Sequence, residues 1–276
     1  MAIFIVTFEM KNSIWLSLLL SFSIATKAQL LVGPVAGGGI SWVSFHDKKS
    51  RDFFKQVPII SYQGGVDISF QVRKNFYLHT ALLYSRKGKS VSANAAPDLK
   101  HLEIYHHLDV PIVFTHEFKF KVGQNKIFKL YMGMGPNVSY WLNGKGSLTT
   151  SQLLEDQTPV LNYTLTFKER ETYAEGVVPI HDANRWQLGL NLASGAVFEP
   201  WGGQKIHLSA RYELGHSYLA KSGATSFPGV FDYSADLKAR NMGLRFSVSY
   251  LIDLKPSESK RGKSTADKTI KRKRKN

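Results

Sequence analysis

Cysteine is absent from all 276 residues, which excludes a disulfide framework and thiolate metal sites. It assigns no compartment, since cytosolic chains also dispense with the residue. Long apolar runs are missing as well. The run from Ile14 to Ile24 is too short for a spanning helix, which needs about 20 residues, and no later stretch supplies one. Acid is scarce: 21 Asp+Glu against 36 Lys+Arg leave a formal charge of +15. That excess is uneven. Residues 255–276 carry 10 Lys+Arg against Glu258 and Asp267, or +8, which leaves only +7 on residues 1–254.

The end of the chain, "KTIKRKRKN" (Lys268 to Asn276), has the form of a nuclear or nucleic-acid motif, because clustered cations release counterions from phosphates. The start of the chain argues against that. "MKNSIWLSLLLSFSIATKAQ" (Met10 to Gln29) has a basic start at Lys11, an apolar centre and the small residue Ala28 before a cut. This is the pattern of a secretory signal peptide, expected over residues 1–28 with Met10 as an alternative start. A buried N-terminal helix is the competing reading. Export removes nucleic acid from the partners. Residues 255–276 have almost no apolar residues and are expected as a disordered basic tail.

Between these ends, 43% hydrophobic and 12% aromatic residues exclude disorder for most of the length, and the pattern has period two. In "NMGLRFSVSYLI", Met242, Leu244, Phe246, Val248, Tyr250 and Ile252 oppose Asn241, Gly243, Arg245, Ser247 and Ser249. Such alternation is that of a strand with one apolar face. The same grammar recurs in "KIHLSARYELG", "WQLGLNLASGAVF", "YQGGVDISFQV" and "LYMGMGPNVSY". Three less regular strands are expected at Leu30 to Val43, Phe76 to Arg86 and Leu102 to Thr115. In the first, "GPVAGGG" permits curvature and close backbone approach; it lacks the Gly-Lys-Ser/Thr ending of a phosphate loop. In the third, Pro111 suggests a bulge or a break in the ladder.

Eight strands result, and their connections alternate. Short turns are expected near Arg73 to Asn75, "VGQNK" and "EPWGGQ"; long ones near His46 to Pro58, Lys87 to His101, Asn143 to Arg185 and Ser217 to Leu237. Long and short loops then lie at opposite ends of an up-and-down meander, as in outer-membrane barrels. A soluble sandwich or lipocalin-type barrel also alternates, but its outer face needs Lys and Glu. Here the polar face is mostly Gly, Ser, Asn and Gln, and aromatics sit near the strand ends. The expected fold is all-β: an eight-stranded antiparallel transmembrane barrel over residues 29–254, with both termini in the periplasm.

"YLHTALLYSRKGKS", "HLDVPIVFTHEF" and "LYMGMGPNVSYWL" resemble the PorT-type outer-membrane β-barrel family of Bacteroidota. The resemblance lies in Tyr84, Ser85, Lys87 and Gly88, in Val110 and Pro111, and in Gly133, Gly135 and Pro136. It implies an eight-stranded outer-membrane barrel and, through the family's namesake, a link to type IX protein secretion and gliding. On that basis the chain is expected to be a non-catalytic scaffold or accessory component of envelope or secretion machinery, with no cofactor. A barrel-embedded lipid-modifying or proteolytic enzyme is the alternative.

Candidate chemistry is sparse. His107 and Asp109 share a strand face, whereas His216 and Ser217 are adjacent and so point apart, with Glu213 or Asp109 as a nominal acid. His101, His106, His107 and His116 do not converge on a metal, because alternation separates His106 from His107. His106 falls on the lipid face, which calls either for a bulge or for a place at an interface. Asp67, Glu103, Asp109, Arg211, Glu213 and Arg245 fall on the polar faces. In a bore only wide enough for side chains they are expected to pair into a plug, making the protein no general pore. The connection at 143–185 is either a recognition element or a tolerated insertion, and "TPVLNYTLTFKERETYAEG" suggests a hairpin within it. The tail cations Lys271, Arg272, Lys273, Arg274 and Lys275 are expected either to dock on anionic lipid, peptidoglycan or acidic protein, or to act as a solvated tail. Outer-membrane lipid and periplasmic or secretion-machinery proteins are the other expected partners.

Overall fold

The computed structural model describes residues 29–254 apart from 95, 97, 123–125, 169–171, 201–203, 222, 223 and 228. The expected signal peptide and basic tail lie outside the described residues. No described helix is long and apolar enough to cross a membrane.

Eight long strands form a closed ring: β1 (Leu30–Phe45), β3 (Ile59–Arg73), β4 (Phe76–Ala93), β5 (Lys100–Val122), β6 (Lys126–Thr149), β9 (Trp186–Phe198), β10 (Gln204–Tyr218) and β13 (Ala239–Asp253). Each pairs antiparallel with two neighbours, and β13 pairs with β1 to close the circuit. The cross-strand partners run Leu30, Phe70, Leu78, Phe114, Met134, Leu192, Tyr212, Leu244 and back to β1 at Ile40. One circuit therefore climbs from residue 30 to residue 40, a stagger that tilts the strands by about 40°.

The sheet is larger than eight strands. Short strands β2 (Phe54–Val57), β7 (Leu161–Thr166) and β8 (Val177–Pro179) bring it to eleven, and β11 (Ala224–Phe227) with β12 (Val230–Asp236) forms a separate hairpin. Two short helices, α1 (Lys48–Phe53) and α2 (Ser151–Glu155), join them. Much of the supposed loop regions is strand: β4 runs on to Ala93 and β6 to Thr149. Long connections are expected from Lys87 and from Asn143, but cross-strand pairing carries the ladder through both positions. The segment expected as a hairpin is not one. β7 joins the edge of β6 antiparallel, and β8 pairs with β7 in parallel.

Pro111 causes no register shift, since Thr80↔Ile112 and Leu83↔Asp109 keep one register on either side of it, but the β4–β5 ladder is broken between those pairs, as a residue without an N–H requires. The β5–β6 shift falls instead between His106 and His107. Close approach at the glycines is real: a Cβ on Gly37 would meet the Phe246 carbonyl oxygen at 2.2 Å, and one on Gly133 that of Phe114 at 2.1 Å.

The extensions, helices and hairpin gather at the end of the ring with the long connections. There they bury an apolar core that includes Phe45, Tyr105, Trp141, Leu148, Tyr163, Leu165, Phe227, Tyr233 and Leu237. This core caps one mouth. At the other end β3 passes to β4 through a tight turn in which Asn75 has φ 65°.

Candidate functional site

The ring has reversed polarity. Along β4, Ala81, Leu83, Ser85, Lys87 and Lys89 are buried, whereas Leu82 and Tyr84 are exposed. The large apolar side chains of the outer face stand free: Met132 is 62% exposed, Met134 60% and Phe246 57%. Six acids occur on the ring strands, Asp67, Glu103, Asp109, Glu117, Glu213 and Asp253, and all follow the odd-numbered, inward register. The outer face carries none.

Lys87 organises the bore. Its Nζ lies 3.0 Å from Asp109 Oδ1, donates to Ser139 Oγ at 3.3 Å and contacts Glu213 Oε1. Arg245 Nε donates to Glu213 Oε2 at 3.2 Å. Asn137 Nδ2 bridges Ser139 and Glu213 at 2.9 and 3.4 Å. These residues come from β4, β5, β6, β10 and β13, so the network ties most of the wall together. Below it, Arg211 Nη2 donates to Gln63 Oε1 and Ser249 Oγ to Asp67 Oδ2, each at 2.6 Å. These groups border a cavity of about 60 Å³ that His79, Tyr131 and His207 also line, room for a few waters. At the uncapped mouth Lys129 and Lys205 hold Glu199 at 2.6 and 3.6 Å, and Lys205 lies 4.9 Å over the Tyr77 ring.

Of the six charges marked by the sequence, Asp109, Glu213 and Arg245 share the Lys87 network, while Arg211 and Asp67 sit at the cavity. Glu103 belongs elsewhere, to the cap. There Lys89 Nζ reaches Glu103 Oε2 at 2.9 Å, and His101 Nε2 lies 3.1 Å from Glu103 Oε1. His101 also meets Tyr233 at 2.8 Å and Tyr163 at 2.5 Å, and the Tyr163 hydroxyl donates to Glu103 at 2.8 Å. Burial pushes the His101 pKa below its ordinary value. Burial alone would raise that of Glu103, but Lys89 and His101 outweigh it and hold the carboxyl well below the usual range. Strands β5, β7 and β12 thus meet at one polar knot, which fixes the cap to the wall.

In sequence Lys87 stands out only for the family resemblance and His101 only as a metal candidate, neither as an ion-pair partner, and Lys89, Tyr163 and Tyr233 are unmarked. Extending the odd register of β4 past Arg86 finds both lysines. Nothing local marks the tyrosines, whose partners lie 60 and 132 residues away for Tyr163 and Tyr233 respectively.

The other candidate groups do not assemble. His107 and Asp109 both face inward, yet neither ring nitrogen of His107 has a hydrogen-bond partner. His216 is exposed, and Ser217 Oγ accepts the Leu188 amide N–H at 2.9 Å. His116 packs against Phe76 and Phe118. Among the described residues no three His, Asp or Glu side chains form a metal-holding group. His106 faces outward beside the register shift, with Nδ1 2.6 Å from the Tyr84 hydroxyl.

Fold and site together define a closed antiparallel ring with an apolar exterior, an ionic interior and a capped mouth. Neither a family model nor a curated protein matches the sequence. Solved outer-membrane proteins are similar in part, among them the following. OprG, an outer-membrane protein of Pseudomonas aeruginosa, has a TM-score of 0.41 at 10% identity, covering 80% of this chain and 94% of its own. Neisserial surface protein A has a TM-score of 0.34 at 10% identity, with coverages of 82% and 99%. The attachment invasion locus protein Ail of Yersinia pestis, crystallised with sucrose octasulfate, has a TM-score of 0.35 at 11% identity, with coverages of 81% and 99%.

Proposed function

We propose that the chain is an integral outer-membrane β-barrel with a closed bore, serving as a non-catalytic scaffold or accessory component of an envelope assembly. One observation carries the membrane reading: the apolar residues of the ring point outward and the ionic network inward. In water such a surface is untenable, because soluble monomers rarely expose contiguous apolar patches above a few hundred Å². In hydrocarbon it is required, and ring closure leaves no unpaired strand edge.

The dimensions agree. Twelve residues separate Trp186 from Phe198 on β9, and at the ring's tilt they span roughly 30 Å, the thickness of a bilayer's hydrocarbon core. Aromatics mark both levels: Tyr62, Tyr84, Tyr140 and Trp186 on the capped side, Phe76, Phe118, Phe128 and Phe198 on the other. In this orientation the cap is extracellular and the termini periplasmic. The tail cations Lys271, Arg272, Lys273, Arg274 and Lys275 then lie beneath the membrane, facing anionic lipid, peptidoglycan or acidic protein.

Refolding into lipid vesicles followed by flotation after an alkaline wash tests the membrane reading. Protein left in the aqueous phase would sink it. The scaffold role, and the type IX secretion link implied by the family resemblance, predict loss of secreted proteins from the cell surface on deletion of the gene. A chain lacking residues 255–276 should rescue that phenotype less well if the tail docks a partner.

A further inference from the structure

We infer that the outer rim of the barrel is a binding site for the phosphate groups of outer-leaflet lipids, built from cations held against outward-facing aromatic rings. This rests on the membrane reading above and goes beyond it in naming a ligand chemistry and the side chains that take it.

Three arginines share one arrangement at the capped end of the wall. Arg86 lies 5.7 Å over the Tyr62 ring and anchors one terminal nitrogen on the Ile60 carbonyl oxygen at 2.5 Å. Arg185 lies 4.5 Å over Tyr140 and donates from Nε to the Trp141 carbonyl oxygen at 3.1 Å. Arg240 lies 4.6 Å over Tyr218 and donates to that hydroxyl at 2.8 Å, while its buried Nε has no partner. Lys145 is exposed on the same outward face, brought there by the register shift that pairs Ile104 with Lys145.

The positions encircle the barrel at the level of the outer aromatic girdle. Arg86 pairs with Tyr62, and Tyr140 pairs with Trp186; Tyr218 pairs with Arg240 two strands further round. Among the described residues none of the four cations has a carboxylate within 4.0 Å. Of the inward cations Lys87 has two and Lys89 and Arg245 one each, whereas Arg211 is held by the Gln63 amide oxygen instead. Every ring-strand acid has been placed on the lumen side, so the outward face of the strands carries cations and no acid at this level; the exposed carboxylates Asp47 and Asp182 belong to the connections above it. Each guanidinium spends one nitrogen on its anchor, and Arg185 is also covered by the Phe167 ring at 4.9 Å, so the geometry is fixed before a ligand arrives; the remaining N–H groups can offer a phosphate two parallel hydrogen bonds. In the proposed orientation the groups that meet this rim are headgroups of the outer leaflet.

The test uses the full-length protein in detergent micelles, titrated with a diphosphorylated acyl-glucosamine disaccharide, its dephosphorylated counterpart and inorganic phosphate, with bound lipid counted by native mass spectrometry. The diphosphorylated lipid is expected to bind at least about tenfold more tightly than the dephosphorylated one. Combined Arg86→Gln, Arg185→Gln and Arg240→Gln should erase that difference, and each single change, kept for use if the triple variant does not fold, should reduce it. Lys119→Gln with Lys121→Gln, at the opposite end, should leave it unchanged. Equal binding of the two lipids, or undiminished preference in every arginine variant, overturns the inference. Inorganic phosphate bound as tightly as the lipid overturns the lipid assignment. Vesicle flotation of the same preparations separates the two proposals: protein that inserts normally without phosphate preference fails only this one.

Discussion

Lys87 and Glu213 meet in the bore from strands diametrically opposed in the ring, β4 and β10, with three strands between them on either side. A contact across the full width of the bore divides it. Removing the cation leaves two buried carboxylates, Asp109 and Glu213, without their common partner. Lys87→Met is therefore expected to cost about 3–5 kcal/mol, seen as a lower urea midpoint for unfolding from vesicles. Planar-bilayer recordings should show no large stable conductance for the unaltered protein and intermittent openings for the variant.

The cap's polar knot is sensitive to acid. The pKa values of His101 and Glu103 are both below their ordinary values in the fold, so each binds fewer protons folded than unfolded. The stability they contribute is full above the ordinary histidine range, near 6.5, and declines as the pH falls below it. Hydrogen-exchange protection of residues 224–236 should drop over that interval. Glu103→Gln should reduce protection at neutral pH and flatten its dependence on acid. Protection that rises on acidification would contradict the assignment.

Leu192 lies midway between Trp186 and Phe198 on the outer face of β9. At mid-depth in a bilayer Leu192→Arg is expected to cost about 2–4 kcal/mol, measured by reversible unfolding in vesicles. The same change on a water-facing surface would be close to neutral, so the sign and size of the effect report the solvent of that face.

Gly37→Val places a branched side chain where the Phe246 carbonyl already sits. The seam between β1 and β13 should fail to close, giving a gel species without the heat-modifiable mobility of a folded barrel. Gly64, whose added Cβ would come no closer than 3.8 Å to the Val35 carbonyl, should accept alanine with little effect.

Period two made the ring legible in sequence, because in a strand each residue's face is set by its own parity. The apolar and polar faces at 241–252 have that origin, and the ionic bore follows from the same rule. The cap was not legible. Phe227 and Tyr233 occupy segments too short to show a period, and although the stretch around Tyr163 suggests strands, its parity does not tell what covers it; the burial of all three comes from one another and from the extended β4, β5 and β6. His106 illustrates the boundary: alternation gave its outward direction, whereas the shift beside it and its Tyr84 partner depend on the neighbouring strands.

The cap also fixes the order of events in assembly. In the proposed orientation residues 150–185 and 224–237 must traverse the bilayer as extended chain, since the bore left after β1 and β13 join is filled by side chains. Their apolar core forms only on the far side. Once formed it sits over a bore filled by side chains, and the hairpins that carried it through have no route by which to slip back. The folded cap acts as a ratchet, making insertion a one-way step without any covalent lock in a chain that has no cysteine to make one.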